Sequence, residues 1–380
     1  MRWRWPAFPS VEAFLCLLGL IYFIAFTSFG VQAAGLIGSR GLSPLPEFLK
    51  TARESLGSAA YWDVPTVLWL NSRDAAIAAV WIAGAAAALA AIFTRWPRPA
   101  LAVCLVLWLS VCGAGQDFLS FQWDVLLLET GFLAIFATDA RLRVWLFRWL
   151  LFRLMFFSGV VKLQSHDPTW RDLTAMSYHY QTQPLPNPLS WYMYQLPLWF
   201  HKGETLFTFA AELAVPFLYF APRRLRHIAG YFTVGLQLLI LATGNYTFFN
   251  LLAIALAVFL FIEPPTAAER LRSQIVTVAL TAFIGILSGL VFLQLFSLPL
   301  PPGGAETLHW TAPLRIVNSY GLFASMTTER PEIQIEGSND GVEWKAYEFP
   351  YKPGNLRRAP PVIEPHQPRL DWQMWFAALG

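Results

Sequence analysis

Four ionisable residues stand inside long apolar stretches of this sequence: Asp124, Glu129, Lys162 and Glu212. A charged group is costly inside hydrocarbon, so each is a candidate for a functional role or for pairing with an opposite charge. Asp124 and Lys162 fall near the same end of two segments expected to run antiparallel, and we predict that they form an ion pair. Glu129 follows Asp124 by five residues, which places it about 7.5 Å deeper along a helix.

Two interpretations of these charges stay open. In the structural one, Asp124 and Lys162 lock two helices together or reach the lipid headgroups. In the functional one, they line an outward-facing polar cavity. Such a cavity would be extended by other binding or structural-polar candidates, which are His166, Asp167, Trp170, His179, His201, Glu204, Gln237, Asn245, Asn250 and Gln294. The spacing of the histidines and acids matches no ligand motif, so we predict no metal site.

The composition indicates that these charged residues belong to a membrane protein. Charged residues make up 13% of the 380 residues and hydrophobic ones 56%, whereas soluble domains carry about 25% charge. Several apolar runs approach the roughly 20 residues that a helix needs to cross a bilayer. We therefore predict an all-α polytopic membrane protein with about nine transmembrane helices, at residues 11–34, 75–93, 100–113, 118–138, 144–163, 205–221, 228–243, 248–262 and 275–298.

The positions of the basic residues predict the orientation. If the N-terminus is cytoplasmic, every short basic loop falls on the cytoplasmic side, with Arg95, Arg98, Arg141, Arg143, Arg223, Arg224, Arg226, Arg270 and Arg272. The short connections 114–117 and 244–247 contain no Lys or Arg, as the positive-inside rule requires of the opposite side. The C-terminus is then extracytoplasmic. The membrane would be the bacterial inner membrane, or that of the endoplasmic reticulum in a eukaryote.

Two long connections, 35–73 and 164–202, share the extracytoplasmic side in this arrangement. Loops of this length are more often functional than tight turns are. The second is rich in aromatic residues and proline. It is therefore interpreted either as an element lying along the membrane interface or as the wall of a binding cleft.

A small β-rich extracytoplasmic domain is predicted at 299–380, after the transmembrane domain 1–298. Alternating residues at 332–336 and 342–349 flank turn residues at 338–341, which indicates a β-hairpin, and 370–379 could form a short helix. The few strands leave open whether this domain is complete.

Cys16, Cys104 and Cys112 all lie in apolar segments, which excludes a disulfide framework. The net charge of +3 makes a nucleic-acid partner unexpected.

Several stretches resemble the lipase maturation factor family across nearly the whole chain. They are SFQWDVLLLE at 120–129, the loop 168–186, TGNYTFFN at 243–250, IEGSNDG at 335–341 and PHQPRLDW at 365–372. The resemblance implies a polytopic accessory factor, chaperone-like and without a cofactor, that helps exported or lumenal enzymes such as lipases to mature. Its partners would be an exported lipase-like client and the lipid bilayer.

A more distant resemblance supplies an alternative. The run FFSGVVKL at 156–163, followed by Trp170, is similar to the segment around the active lysine of the vitamin K-dependent carboxylases. That similarity implies a membrane-embedded enzyme that uses a quinone, with Lys162 as the base. A lysine that is neutral because it is buried could act as this base. A carboxylate beside the lysine would instead favour its charged form.

Overall fold

The computed structural model describes residues 8–265 and 271–380. The N-terminal residues 1–7 and Arg270, which contributed to the predicted orientation, lie outside the described residues. Within the described part the protein is mostly helical, with one two-stranded sheet.

The described residues of the first half of the chain contain eight α-helices. They are α1 (Val11–Gly30), α2 (Ala33–Ile37), α3 (Leu45–Leu56), α4 (Ala60–Asp63), α5 (Asp74–Phe93), α6 (Pro97–Ala114), α7 (Gln122–Phe136) and α8 (Ala140–Gln164). Side-chain caps define two of the starts: Ser10 accepts a hydrogen bond from the Ala13 N–H at α1, and Asp139 accepts from Arg141 and Leu142 at α8. The predicted long loop 35–73 is folded largely into the short helices α2 to α4.

The second half contains shorter helices around two long ones. They are α9 (Pro168–Arg171), α10 (Ala175–Thr182), α11 (Pro188–Tyr194), α12 (Leu198–Phe209), α13 (Arg223–Thr243), α14 (Phe249–Ala257), α15 (Leu271–Leu295) and α16 (Gly304–Thr311). The helical path of α12 continues through a π turn at Ala210–Ala214 and a 3-10 turn at Val215–Phe220. Such π turns are frequent at functional sites.

Six helices among the described residues are long and apolar enough to cross a membrane: α1, α5, α6, α8, α13 and the Ile275–Leu295 part of α15. The other three predicted spans correspond to shorter elements. The segment 118–138 contains α7, 205–221 breaks into π and 3-10 turns, and 248–262 contains α14 with a 3-10 turn at Val258–Leu260. The general prediction of a polytopic helical membrane protein is confirmed, whereas the count of nine is not.

Helix α1 is central to the bundle and packs against α5, α6, α7 and α14. The close approach of α1 and α5 depends on Gly84, because a Cβ there would overlap the Phe26 ring. Cys16, Cys104 and Cys112 are free thiols, in agreement with the exclusion of a disulfide framework.

The C-terminal segment 316–380, which we call the tail, is mainly irregular. Its hairpin pairs β1 (Ile335–Gly337) antiparallel with β2 (Lys345–Tyr347), with Glu336 opposite Ala346. The helix α17 (Arg369–Ala377) follows. Both predicted elements are therefore confirmed. The strands have three residues each, so the sheet is a minor part of the tail.

Candidate functional site

The buried charges of the helices are bound by the tail. Arg369, the first residue of α17, forms a two-pronged pair with Asp124 of α7: Nη1 lies 2.9 Å from Oδ2 and Nη2 lies 2.9 Å from Oδ1. Both residues are fully buried. Arg369 also donates to the Phe118 carbonyl at 2.6 Å. The predicted pair of Asp124 with Lys162 is wrong, because Asp124 already has this partner and Lys162 has another.

Glu129 is the centre of a second buried cluster. It forms an ion pair with Arg153 of α8 and accepts a hydrogen bond from the Tyr320 hydroxyl at 2.7 Å. The Asn318 side chain donates to the same carboxylate at 3.0 Å, and the backbone N–H of Asn318 donates at 3.2 Å. Arg153 thus neutralises the deepest predicted charge, and two residues of the tail supply the hydrogen bonds that a buried carboxylate requires.

Lys162 is paired with Glu212, which lies in the π turn after α12. Its Nζ donates to the two Glu212 oxygens at 2.8 and 3.0 Å, to the Ser158 carbonyl at 3.1 Å and to the Leu322 carbonyl of the tail at 3.0 Å. The ammonium also lies 5.3 Å from the centre of the Trp170 ring. An ammonium has three N–H donors, so these acceptors satisfy it fully in its charged form.

Trp170 and Asp167 extend this contact with the tail. The Trp170 Nε1–H donates to the Phe323 carbonyl at 3.1 Å, and the Asp167 carboxylate accepts from the Met326 N–H at 2.5 Å. His166, by contrast, is exposed and contacts Arg171. The structure therefore separates His166 from the other candidates that the sequence placed after Lys162.

His179 lies beside the lysine, in a hydrogen-bonded chain. Its Nε2 lies 3.2 Å from the Tyr246 hydroxyl, which donates to Gln183 Oε1 at 2.9 Å. Burial, reinforced by the nearby Lys162 charge, lowers the pKa of His179 to about 4. The imidazole is therefore neutral at physiological pH and can donate to Tyr246 from Nε2.

The two asparagine candidates have different roles. Asn245 donates to the Pro361 carbonyl at 3.0 Å and accepts from the Ile363 N–H at 2.8 Å, so it binds the tail. Asn250 donates to Gln237 Oε1 at 2.8 Å inside the bundle.

A small cavity of about 140 Å³ adjoins the Lys162–Glu212 pair. Its wall is mostly apolar and includes Met155, Phe207 and Phe323, and its polar members include His179, Glu204 and Gln237. Within the described residues, no group of three His, Cys, Asp or Glu side chains could hold a metal ion.

Sequence reasoning missed three arginines. Arg153 pairs with Glu129, Arg148 binds the Phe259 and Ile262 carbonyls at 3.0 and 2.7 Å, and Arg369 pairs with Asp124. A complete charge count of the segment 144–163 would have found the first two. Arg369 lies in the stretch 365–372, one of the motifs on which the family resemblance rested. The structure shows that this motif contacts the motif 120–129.

These features define the protein as a polytopic helical membrane protein whose C-terminal tail is anchored on buried charges of its helices. Residues 10–266 match the family model described as "Lipase maturation factor transmembrane domain", and residues 316–380 match "Lipase maturation factor C-terminal domain". The chain belongs to the lipase maturation factor family.

Individual relatives extend the similarity over almost the full chain. Lipase maturation factor 2 of Gallus gallus is 37% identical over 97% of this chain and 70% of its own length. Lipase maturation factor 2 of Homo sapiens is 36% identical over 97% of this chain and 72% of its own length. Lipase maturation factor 1 of Bos taurus is 34% identical over 95% of this chain and 73% of its own length. No solved structure matches the chain.

Proposed function

We propose that this protein is an accessory factor that helps exported lipase-like enzymes reach their active form. The observation that carries the proposal is that both family domains match and that relatives named lipase maturation factor align over 97% of the chain. The tail would then form the client-facing surface together with the segments 164–202 and 243–250 that contact it. This role requires neither a cofactor nor a catalytic residue.

The quinone-linked alternative has no support in the contacts of Lys162. A lysine that takes a proton from a quinol must be neutral and accessible. All the N–H donors of Lys162 are instead bound by Glu212 and two backbone carbonyls. No relative named above carries a name that refers to a redox or carboxylase activity.

The proposal places the tail outside the cytoplasm and retains nine membrane crossings, three of them by the shorter helical segments. Its support is that, among the described residues, tail contacts gather at one end of four helices. Gln32 after α1, Gln122 at the start of α7, Lys162 at the end of α8 and Asn245 after α13 all bind tail residues. In the arrangement derived from the basic loops, each of these positions is extracytoplasmic. The membrane would be the inner membrane of a bacterium or the endoplasmic reticulum of a eukaryote.

Deletion of the gene in its own host tests the function. The readout is the specific activity of exported lipases, that is, activity divided by the amount of lipase protein. We expect it to fall on deletion and to return when the wild-type gene is supplied. Unchanged specific activity of every exported lipase would contradict the proposal.

Reporter fusions test the orientation separately. An alkaline phosphatase, which is active only outside the cytoplasm, should work when fused after Leu300 or within 164–202. It should be inactive when fused after Arg98, Arg143 or Arg226. Activity after Arg143 together with inactivity after Leu300 would reverse the orientation.

A further inference from the structure

A basic pocket of about 260 Å³ lies between α11 and the tail. One wall is formed by α11 and the residues before it, and the other by residues 351–361 of the tail. The lining includes three cations, Arg330, Lys352 and Arg358, and none of the described lining residues is Asp or Glu. The ion pairs that anchor the tail on the helices use none of these three cations.

The cluster around the pocket carries an excess of positive charge. Glu332 is shared by two of the cations, with Oε1 2.7 Å from Arg330 Nε and Oε2 2.5 Å from Lys352 Nζ. Glu348 lies 4.0 Å from Arg358 Nη1, and its side chain is 55% exposed, so this pair contributes little. Among the described residues, three cations thus share two carboxylates, which leaves one positive charge unbalanced.

Arg330 and Arg358 differ in how many hydrogen-bond donors they have left. Arg330 is used up in fixing the tail to the loop before α11, since its Nη atoms donate to the carbonyls of Gln181, Gln183 and Pro184. Arg358 uses only Nη2, which donates to two tail carbonyls at 2.6 and 3.2 Å. A guanidinium has five N–H donors, and those on Nε and Nη1 of Arg358 have no acceptor among the described residues. Arg358 is therefore the cation that can bind a ligand.

The pocket lies at the level where a membrane-spanning helix ends. Helix α13 has 21 residues, about 31 Å, so its end at Thr243 reaches the headgroup region of a bilayer. The loop before α11 is bound to this end, because Asn187 Nδ2 donates to the Ala242 carbonyl at 2.9 Å. The lining residues Trp191 and Tyr194 of α11 are 59% and 38% exposed. Exposed Trp and Tyr are typical of the lipid–water interface.

These features select one kind of ligand. A phosphodiester carries one negative charge, which balances the excess of the cluster, and Arg is suited to bind phosphate oxygens. A zwitterionic headgroup would bring a further cation into a basic pocket. We propose that the pocket binds the headgroup of an anionic phospholipid, with Arg358 on the phosphate and with Trp191 and Tyr194 against the lipid. The lipid would hold the tail at the membrane surface, and this role does not depend on a lipase client.

Photocrosslinking tests the proposal on the full chain in phosphatidylcholine nanodiscs. The probe is a phosphatidylglycerol with a diazirine on its headgroup, which keeps the charge of the phosphodiester. After illumination and proteolysis, mass spectrometry should find the label in peptides from 186–195 or 350–361. Excess unlabelled phosphatidylglycerol should suppress this labelling, whereas inorganic phosphate and polyglutamate should not.

A matched pair of variants locates the binding. Arg358→Gln and Arg357→Gln each remove one positive charge, but Arg357 is an exposed neighbour that does not line the pocket. We expect Arg358→Gln to lower the labelling at least about tenfold and Arg357→Gln to leave it unchanged. Leu356→Glu adds a carboxylate at a lining residue whose side chain is fully exposed, so the fold should be retained. It should lower the labelling as well. Melting temperatures check the fold of all three variants.

Absence of label from both segments would overturn the proposal, as would equal labelling of the wild type and of folded Arg358→Gln and Leu356→Glu proteins. Suppression by inorganic phosphate would assign the pocket to a free anion, and suppression by polyglutamate would assign it to an acidic polypeptide. Either result would contradict a lipid ligand. Labelling that depends on Arg358 and yields only to phosphatidylglycerol supports the proposal, whatever the lipase assay shows.

Discussion

Arg369 and Asp124 form a buried, two-pronged ion pair although 245 residues separate them in sequence. The pair joins the first turn of α17 to the first turn of α7. Parallel N–H to oxygen bonds of this kind are among the strongest that side chains form. Since both residues are inaccessible to water, neither charge has an alternative partner in solvent.

Removal of one member should therefore be costly. We expect Asp124→Asn to lower the free energy of unfolding by about 3–5 kcal/mol, because it leaves Arg369 as a buried unpaired charge. The double variant Asp124→Leu with Arg369→Met should recover more than half of that loss. Unfolding by dodecyl sulfate of the detergent-purified protein measures both, with Glu336→Gln on the exposed hairpin as a control. A double variant less stable than Asp124→Asn would argue against the pair.

Lys162 should be energetically coupled to Glu212 and not to Asp124. A double-mutant cycle of Lys162→Met with Glu212→Gln should show a coupling energy of about 0.5–3 kcal/mol, since the two residues are in contact. The cycle of Lys162→Met with Asp124→Asn should be additive within about 0.5 kcal/mol, because these residues share no partner. The same unfolding assay provides both values. Strong coupling in the second cycle would restore the pair predicted from the sequence.

Glu364 makes stability fall as the pH rises. Burial raises the pKa of this carboxyl from 4.5 to about 8, although it accepts a hydrogen bond from the Tyr246 N–H. Between these values the unfolded chain has lost the proton that the folded protein keeps, so deprotonation favours unfolding. Glu364→Gln should remove this contribution and keep an acceptor for Tyr246. Melting temperatures from pH 4.5 to 8 should therefore fall less steeply for the variant. Parallel curves for the two proteins would contradict the prediction.

The sequence correctly identified four of the charges that are buried in the bundle. Asp124, Glu129, Lys162 and Glu212 are all buried, because the cost of a charge in an apolar segment can be judged from the segment alone. The hairpin at 335–347 and the helix α17 were likewise predicted from local patterns of alternation and turn residues.

The tail residues that bind those charges could not be predicted from local sequence patterns. The argument from depth compared neighbouring segments only, and so it paired Asp124 with Lys162. The actual partners of Asp124 and Glu129 include Arg369, Asn318 and Tyr320. Asn318 and Tyr320 lie in irregular backbone, and Arg369 begins α17 after an irregular segment, so no periodicity indicates that these residues are buried.

The central claim is that the buried charges of the helices hold the tail in place, and hydrogen–deuterium exchange of the tail tests it most directly. In the wild-type protein, the hydrogen-bonded N–H groups of Asn318, Gly321 and Met326 in peptides covering 316–330 should exchange slowly, as should peptides covering 363–377. Glu129→Gln should speed exchange chiefly in 316–330, where Asn318 and Tyr320 bind Glu129. Asp124→Asn should do so chiefly in 363–377, around Arg369. Exchange in both regions that is as slow in the two variants as in the wild type would contradict the account.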